Sequence, residues 1–401
     1  MIGLGSSIAK PGKIGKRIVR DGLVLKHDYN AGAVEPCSTG AADINADAAA
    51  NEYIDVGTTT NIGTSDISFT AWVYITSFID LGGIFGARQS SSTWPGFEVK
   101  TMTGGNRIEA VLDDGGSDAS MVSSTLNTNQ WYHVGVSIDR NGGAGGAQLY
   151  IDGVKDGDDN PDDEQTSIGS ISMTTKIGQH YSGAEMQGYI CNVGYWLGTA
   201  LTQAQVKSIM LKDYASLSAS EKTSLVSWWN LDSTMITNPF DGDKFGVLDS
   251  HYGGGSELGS EMWDGTNGDT THWVKFGSNN EISSDDGAVK ITYKDDASGY
   301  YVYLKNDSHL TADLVVGKFY RLTFSTKINN GSVTWSLKDE DADSWKPDAL
   351  TSTSFITQQI DFVATATEDH YIYPAFMDGS EEVWIKDISL KLINGNTGTL
   401  S

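Results

Sequence analysis

Short runs in which apolar and polar residues alternate recur along most of the chain, separated by turn-forming residues. A period of two sends successive side chains to opposite faces of an extended backbone, so each run predicts a half-buried strand. In the first half such runs fall at residues 53–56, 67–75, 83–87, 96–101, 107–112, 131–139, 147–151, 174–177 and 187–196. Their number and spacing predict a sandwich and not a parallel sheet with crossover helices. Two short helices are expected late in this stretch. Thr202 with Gln205, and Ser218 with Glu221, have the spacing of a capping box. Val206, Ile209 and Met210 would share one face of the first helix, and Leu225 follows the second pattern.

A second strand-rich region begins near residue 258. Its clearest strand is 319–328, where Tyr320, Leu322, Phe324 and Ile328 alternate with Arg321, Thr323 and Lys327. Val333, Trp335 and Leu337 keep the same period, as do Ile372, Pro374 and Phe376. Between the regions, Pro239, Asp241, Gly242, Asp243 and the glycines 253–255 read as a linker. Asp113–Asp114–Gly115–Gly116 and Asp285–Asp286–Gly287 read as hairpin turns, and 394–401 as a plain polar terminus. The fold class is therefore all-β: two tandem jelly-roll sandwiches, with a short extended N-terminal arm and one or two short helices. The divisions are 1–20 for the arm, 21–236, a linker at 237–257, and 258–401.

Composition supports an ordered chain. The 401 residues include 46 Gly and 11 Trp, with aromatics at 10%, more than a disordered segment carries. The formal charge of −25 argues against nucleic acid as a partner, because phosphate binding needs clustered positive charge. That charge is unevenly placed. Lys10, Lys13, Lys16, Arg17 and Arg20 precede the first acid, Asp21, so a basic arm leads a strongly acidic body. Gly and Pro interrupt the arm and forbid a long helix, and such a segment orders only against a partner surface. Docking would use Ile8, Ile14 and Ile18 for apolar contact, with Lys10, Lys13, Lys16, Arg17 and Arg20 for charge. Cys37 and Cys191 are too few for a disulfide framework, and their pairing stays open. No apolar run reaches membrane-spanning length, and the first residues lack the apolar core of a secretory leader.

The first region resembles the laminin-G-like branch of the concanavalin A-like lectin/glucanase jelly rolls. The pieces that carry this are NEYIDVG at 51–57, FTAWV at 69–73, WYHVGV at 131–136, LYIDG at 149–153, GYICNV at 188–193 ahead of Leu201 and Thr202, and LVSWWNLD at 225–232. The second region resembles carbohydrate-binding modules of the family 4/9 type, a galactose-binding-like jelly roll. Here the matching pieces are WDG at 263–265 ahead of Trp273, FYRLTF at 319–324, FVAT at 362–365 and VWIKDISL at 383–390. These resemblances imply lectin-like folds and raise glycan binding as a function.

Enzymatic chemistry finds no support in the residues. A retaining glycosidase needs two carboxylates about 5 Å apart, and no E-x-D-x-x-E run supplies them on one strand face. The carboxylates of 339–343 fall in a polar turn. No G-x-S-x-G elbow is present, and the seven histidines show no zinc spacing. His133 fits a family strand as a structural residue. Glycan binding would need exposed aromatics as platforms for pyranose rings. Trp72, Trp131, Trp196 and Trp228 sit on family strands and read as core, which leaves Trp94, Tyr301, Trp335 and Trp345 as platform candidates. Asp156, Asp158, Asp159, Asp162, Asp163 and Glu164 crowd one segment and are candidate Ca²⁺ ligands, although an acidic loop is more often simply solvated.

The leading expectation is a non-enzymatic phage structural protein on the virion surface, decorating the capsid or forming a head or tail fibre. Its partners would be other virion proteins such as the major capsid protein, further copies of itself, and a glycan, with no nucleic acid and no membrane. The alternatives are a carbohydrate-binding receptor or adhesin and, last, a polysaccharide-degrading enzyme.

Overall fold

A computed structural model describes residues 36–38, 40–44, 52–57, 61–88, 93–169, 174–232, 236–237, 245–247, 258–275, 281–292, 300–303, 309–338, 344–345, 349–367, 370–375, 382–395 and 398–400. Strands β1 to β13 are Ala42–Ile44, Ile54–Asp55, Ile67–Ser77, Gly82–Arg88, Gly96–Met102, Arg107–Asp113, Asp118–Val122, Trp131–Ile138, Ala147–Ile151, Val154–Asp159, Lys176–Ile177, Gln187–Leu197 and Leu225–Trp229. Strands β14 to β20 are Ile236–Thr237, Phe245–Val247, Leu258–Glu261, Val274–Lys275, Glu281–Asp285, Ala288–Thr292 and Tyr300–Tyr303. Strands β21 to β27 are Phe319–Ile328, Thr334–Lys338, Ser344–Trp345, Ile356–Val363, Tyr371–Ala375, Glu382–Ile393 and Gly398–Leu400. Helix α1 is Gln203–Ile209. The chain is an all-β protein of sandwich architecture.

Two compact units form. The N-terminal one takes the described residues up to 232 with Val247 and Gly398–Leu400, and the C-terminal one takes the rest of the described residues. In the first unit, one sheet runs β1-β12-β3-β8-β9-β10, with β13 also paired to β12. The facing sheet runs β27-β2-β11-β4-β5-β6-β7. Phe69, Phe85, Phe97, Tyr195 and Trp229 meet between them as a cluster of rings. Each such ring removes enough apolar area from water to contribute about 2–3 kcal/mol.

The outer face of the first sheet is also covered. Helix α1 lays Val206 and Ile209 over Tyr150, Trp196 and Trp228, which explains why those tryptophans are buried. The approach is close: a Cβ on Gly135 would lie 2.6 Å from Val206 Cγ1. The helix begins as expected, with Thr202 and Gln205 capping each other's backbone. Ser218 and Glu221 make the same reciprocal bonds, yet only turns follow them. That segment runs directly into β13, which leaves no length for a helix.

Two further readings change. The tail is not a plain terminus, because β27 pairs with β2 through Ile54↔Leu400 and Asp55↔Thr399. Within the expected linker, β14 and β15 pair as a short hairpin.

The C-terminal unit also has two sheets. One runs β18-β19-β26-β21-β24 with β16 on β26, and the other runs β17-β20-β25-β22-β23. Tyr320, Leu322, Phe324 and Ile328 face the core, as the alternation requires, with Trp273, Trp335, Leu337 and Ile372. The turn between β18 and β19 is the predicted one, with Asp286 and Gly287 both at positive φ.

Candidate functional site

On β4, β5 and β6 the core-facing residues alternate with a set that points away from the sandwich interior. Phe97 and Val99 face inward, so Glu98 and Lys100 face outward, joined by Arg88, Glu109 and Asp113 from the neighbouring strands. This outer face carries a compact ionic floor. Arg88 Nη1 lies 2.5 Å from Glu98 Oε1, and its Nη2 lies 2.7 Å from Asp113 Oδ2. Lys100 Nζ lies 2.6 Å from the same Glu98 oxygen. The segment after β11 closes over the floor and brings His180 Nε2 to 3.1 Å from Glu98 Oε2. On its other side the ring is held by Nδ1, which accepts the backbone N–H of Ser182 at 3.1 Å. Burial pushes Glu98 up. The His180 hydrogen bond and the Lys100 and Arg88 charges outweigh it and hold the carboxyl at about 2. A carboxylate so held stays ionised at neutral pH and cannot serve as a general acid.

Two aromatic residues border this floor. Trp94 stands at its edge with 46% of its surface exposed, and its carbonyl accepts the Arg88 Nε–H at 2.7 Å. The half-buried Tyr181 ring lies 5.9 Å from the Arg88 guanidinium carbon. Trp94 also has a left-handed backbone, φ 41°, which costs a bulky residue about 1–3 kcal/mol. Among the described residues, Leu231 and Leu81 are the other large apolar side chains in this region of backbone space. Leu231 is buried in the core, and Leu81 lies in the turn from β3 to β4.

The other platform candidates separate. Trp335 is not a platform: it is 1% exposed, packs edge-on to Phe324 and Trp273, and its Nε1 donates to Thr326 Oγ1 at 3.0 Å. The alternation Val333–Trp335–Leu337 already put it on the inward face. Tyr301 pairs with Val274, and Trp345 pairs with Leu337, as backbone register positions of the same five-stranded sheet. That sheet instead shows a pair absent from the candidates. Tyr371 and Tyr373 flank inward-facing Ile372, lie half-exposed on the outer face, and hold their ring centroids 5.8 Å apart. Lys338 and Ser336 are their register partners on β22, and Lys338 Nζ lies 5.8 Å from the Tyr371 ring. The signal was legible: if Ile372 and Pro374 share a face, Tyr371 and Tyr373 share the other.

The acidic segment is not a calcium loop. Asp156, Asp158 and Asp159 belong to strand β10, Asp162 and Asp163 to the single 3-10 turn that follows it, and the carboxylates serve separate partners. Asp156 accepts the backbone N–H of Ser124, Asp159 that of Ser120, and Asp162 that of Gly143. Asp158 pairs with Lys155, and Asp163 lends only its carbonyl, to Ser117. The cation around which the segment folds is Arg140. Fully buried, it donates to the carbonyl oxygens of Gly63, Glu164 and Thr166. Among the described residues no three His, Cys, Asp or Glu side chains converge on a metal position. The arm residues Ile8, Lys10, Lys13, Ile14, Lys16, Arg17, Ile18 and Arg20 lie outside the described residues, as do 339–343. Cys37 and Cys191 are not joined in a disulfide: Cys37 Sγ donates to the Leu211 carbonyl oxygen at 3.1 Å, and burial pushes the Cys191 thiol up to about 12.

None of the curated proteins matches this sequence. Solved structures do. A Bacteroides ovatus protein named for carbohydrate binding is 20% identical with a TM-score of 0.40, over 54% of this chain and 57% of its own. This chain therefore spans little more than half the length of that relative. A family 29 carbohydrate-binding module variant complexed with mannohexaose is 17% identical with a TM-score of 0.27, over 35% of this chain and 96% of its own. The family 22 xylan-binding domain from Paenibacillus barcinonensis is 10% identical with a TM-score of 0.27, over 35% and 99%. Residues 48–207, the stretch that builds the ionic floor and carries Trp94, match the laminin-G-like family described as the concanavalin A-like lectin/glucanases superfamily.

Proposed function

We propose that the protein is a non-enzymatic glycan-binding protein whose principal site is the outer face of the five-stranded sheet in the C-terminal unit. The observation that carries this is the Tyr371–Tyr373 pair. Two phenol rings at 5.8 Å, fixed on one strand, offer consecutive pyranose rings a stacking surface that needs no rearrangement. Their hydroxyls, with Lys338 beside them, supply hydrogen bonds to sugar hydroxyls. The net charge of −25 repels polyanions, so the ligand is a neutral polysaccharide. Affinity electrophoresis of the full chain through gels containing glucan, mannan, xylan or galactan tests this. At least one polymer should retard the protein, and Tyr371→Ala/Tyr373→Ala should remove about tenfold or more of that affinity. Equal retardation of the folded double variant by every retarding polymer would refute the site.

Within this reading, the protein sits on the surface of a phage particle, as a capsid decoration or a fibre, and brings the particle to glycan. Support comes from the basic segment at 1–20 ahead of an acidic body, a charge arrangement suited to docking on another virion protein. The major capsid protein and further copies of this chain are the proposed partners. Copurification with intact particles at tens of copies supports this placement, and absence from purified particles opposes it.

A further inference from the structure

The geometry points to a second saccharide site, on the N-terminal unit, in which the Trp94 indole stacks on a single neutral sugar ring at the edge of the ionic floor. It is independent of the tyrosine face.

Three observations converge. The indole is 46% exposed and is carried on a left-handed backbone that a glycine would adopt at no cost. Backbone strain that is maintained and not relieved concentrates at ligand sites. The ring's support is rigid. Arg88 grips the Trp94 carbonyl while its own guanidinium is locked between Glu98 and Asp113 under the Tyr181 ring. A platform fixed in this way loses little freedom when a ligand arrives.

The surroundings select the ligand class. Thr93 lies against Gly115 of the β6–β7 turn, and the exposed residues there are Gly116, Ser117 and Asp118. One indole in a polar rim matches a pyranose, which has one apolar face and hydroxyls around its edge. A protein partner would need about 800 Å² on this side with an apolar centre. Among the described residues, the other large exposed apolar side chains of this unit are Leu81 and Val154, on other strand ends. Arg88 and Lys100 are spent on Glu98 and Asp113, so the floor offers no open cation to an anionic sugar, and the exposed Asp118 of the rim repels one; the sugar is neutral.

The test uses the full chain carrying Tyr371→Ala/Tyr373→Ala, so that the other face is silent. Immobilised neutral oligosaccharides ending in glucose, galactose, mannose or N-acetylglucosamine are the probes. At least one should still be bound, and adding Trp94→Ala should weaken it about tenfold or more, with partial recovery in Trp94→Phe. Trp94→Gly should lose binding equally while its melting temperature holds or rises, because glycine relieves the left-handed backbone. The inference is overturned if no probe bound by the double variant is weakened by Trp94→Ala. It is also overturned if Trp94→Gly melts well below the parent, which would make the indole a structural group. Either failure leaves the tyrosine face standing, since that is read from the wild type against the double variant.

Discussion

Single residues decide how this protein responds to acid. Glu98 titrates at about 2 in the folded chain, against an ordinary value of 4.5. Its contribution is complete above 4.5 and disappears as pH falls through the folded value, and the shift corresponds to about 3 kcal/mol. His133 acts in the same direction from higher pH. Fully buried against Trp72, with burial pressing it down to about 3 from 6.5, it stabilises the fold only while neutral. Stability of the N-terminal unit should therefore decline below pH 6.5, and again below 4.5. Urea midpoints at stepped pH check this, and His133→Phe should flatten the upper part of the decline. Glu98→Gln strands Arg88, Lys100 and His180 without their shared carboxylate. It should cost about 3–5 kcal/mol at neutral pH, read from the same urea curves.

At the scale of elements, the strands were legible wherever alternation was strict. Strand 319–328 matches its observed bounds because Tyr320, Leu322, Phe324 and Ile328 alternate with Arg321, Thr323, Ser325 and Lys327. Strand β10 was hidden because its sequence, VKDGDD, has no apolar face. Its carboxylates reach sideways to the N–H groups of Ser120 and Ser124, so it is held by polar closure of an edge and not by hydrophobic burial. Strand β27 was illegible for a different reason. Its three residues acquire partners through contacts far away in the sequence, Ile54–Asp55 among them, over three hundred positions off, which local pattern cannot report. The candidate site divides the same way. Trp94 stood out as an aromatic with no strand role, while Trp335 was misplaced by counting tryptophans instead of following the alternation, and the same neglect hid Tyr371 and Tyr373. Because β27 borders β2, deleting residues 398–401 should destabilise the N-terminal unit by about 2 kcal/mol, the worth of its ladder bonds. Thermal unfolding of the truncated chain reads this directly. At the start of α1, Thr202→Ala removes the reciprocal cap and should cost about 1 kcal/mol by the same method.

For the whole molecule, the two proposed sites, one on each sandwich, would make glycan recognition bivalent wherever a polymer reaches both. Linked weak sites gain affinity from effective concentration and need no new contact. On the proposed reading, the strong negative charge turns recognition toward neutral polymers. Added salt should change neutral-glycan binding little, because stacking and hydrogen bonding to uncharged hydroxyls are not screened. The account as a whole rests on aromatic platforms that bind and do not cleave. Its most direct test is a depletion isotherm on an insoluble neutral polysaccharide that retains the wild type, run beside a reducing-end assay of the supernatant. Tyr371→Ala/Tyr373→Ala and Trp94→Ala should each weaken retention, the triple variant should remain folded and unbound, and no reducing ends should appear. A folded triple variant that binds like the wild type, or release of reducing sugar by the wild type, would contradict it.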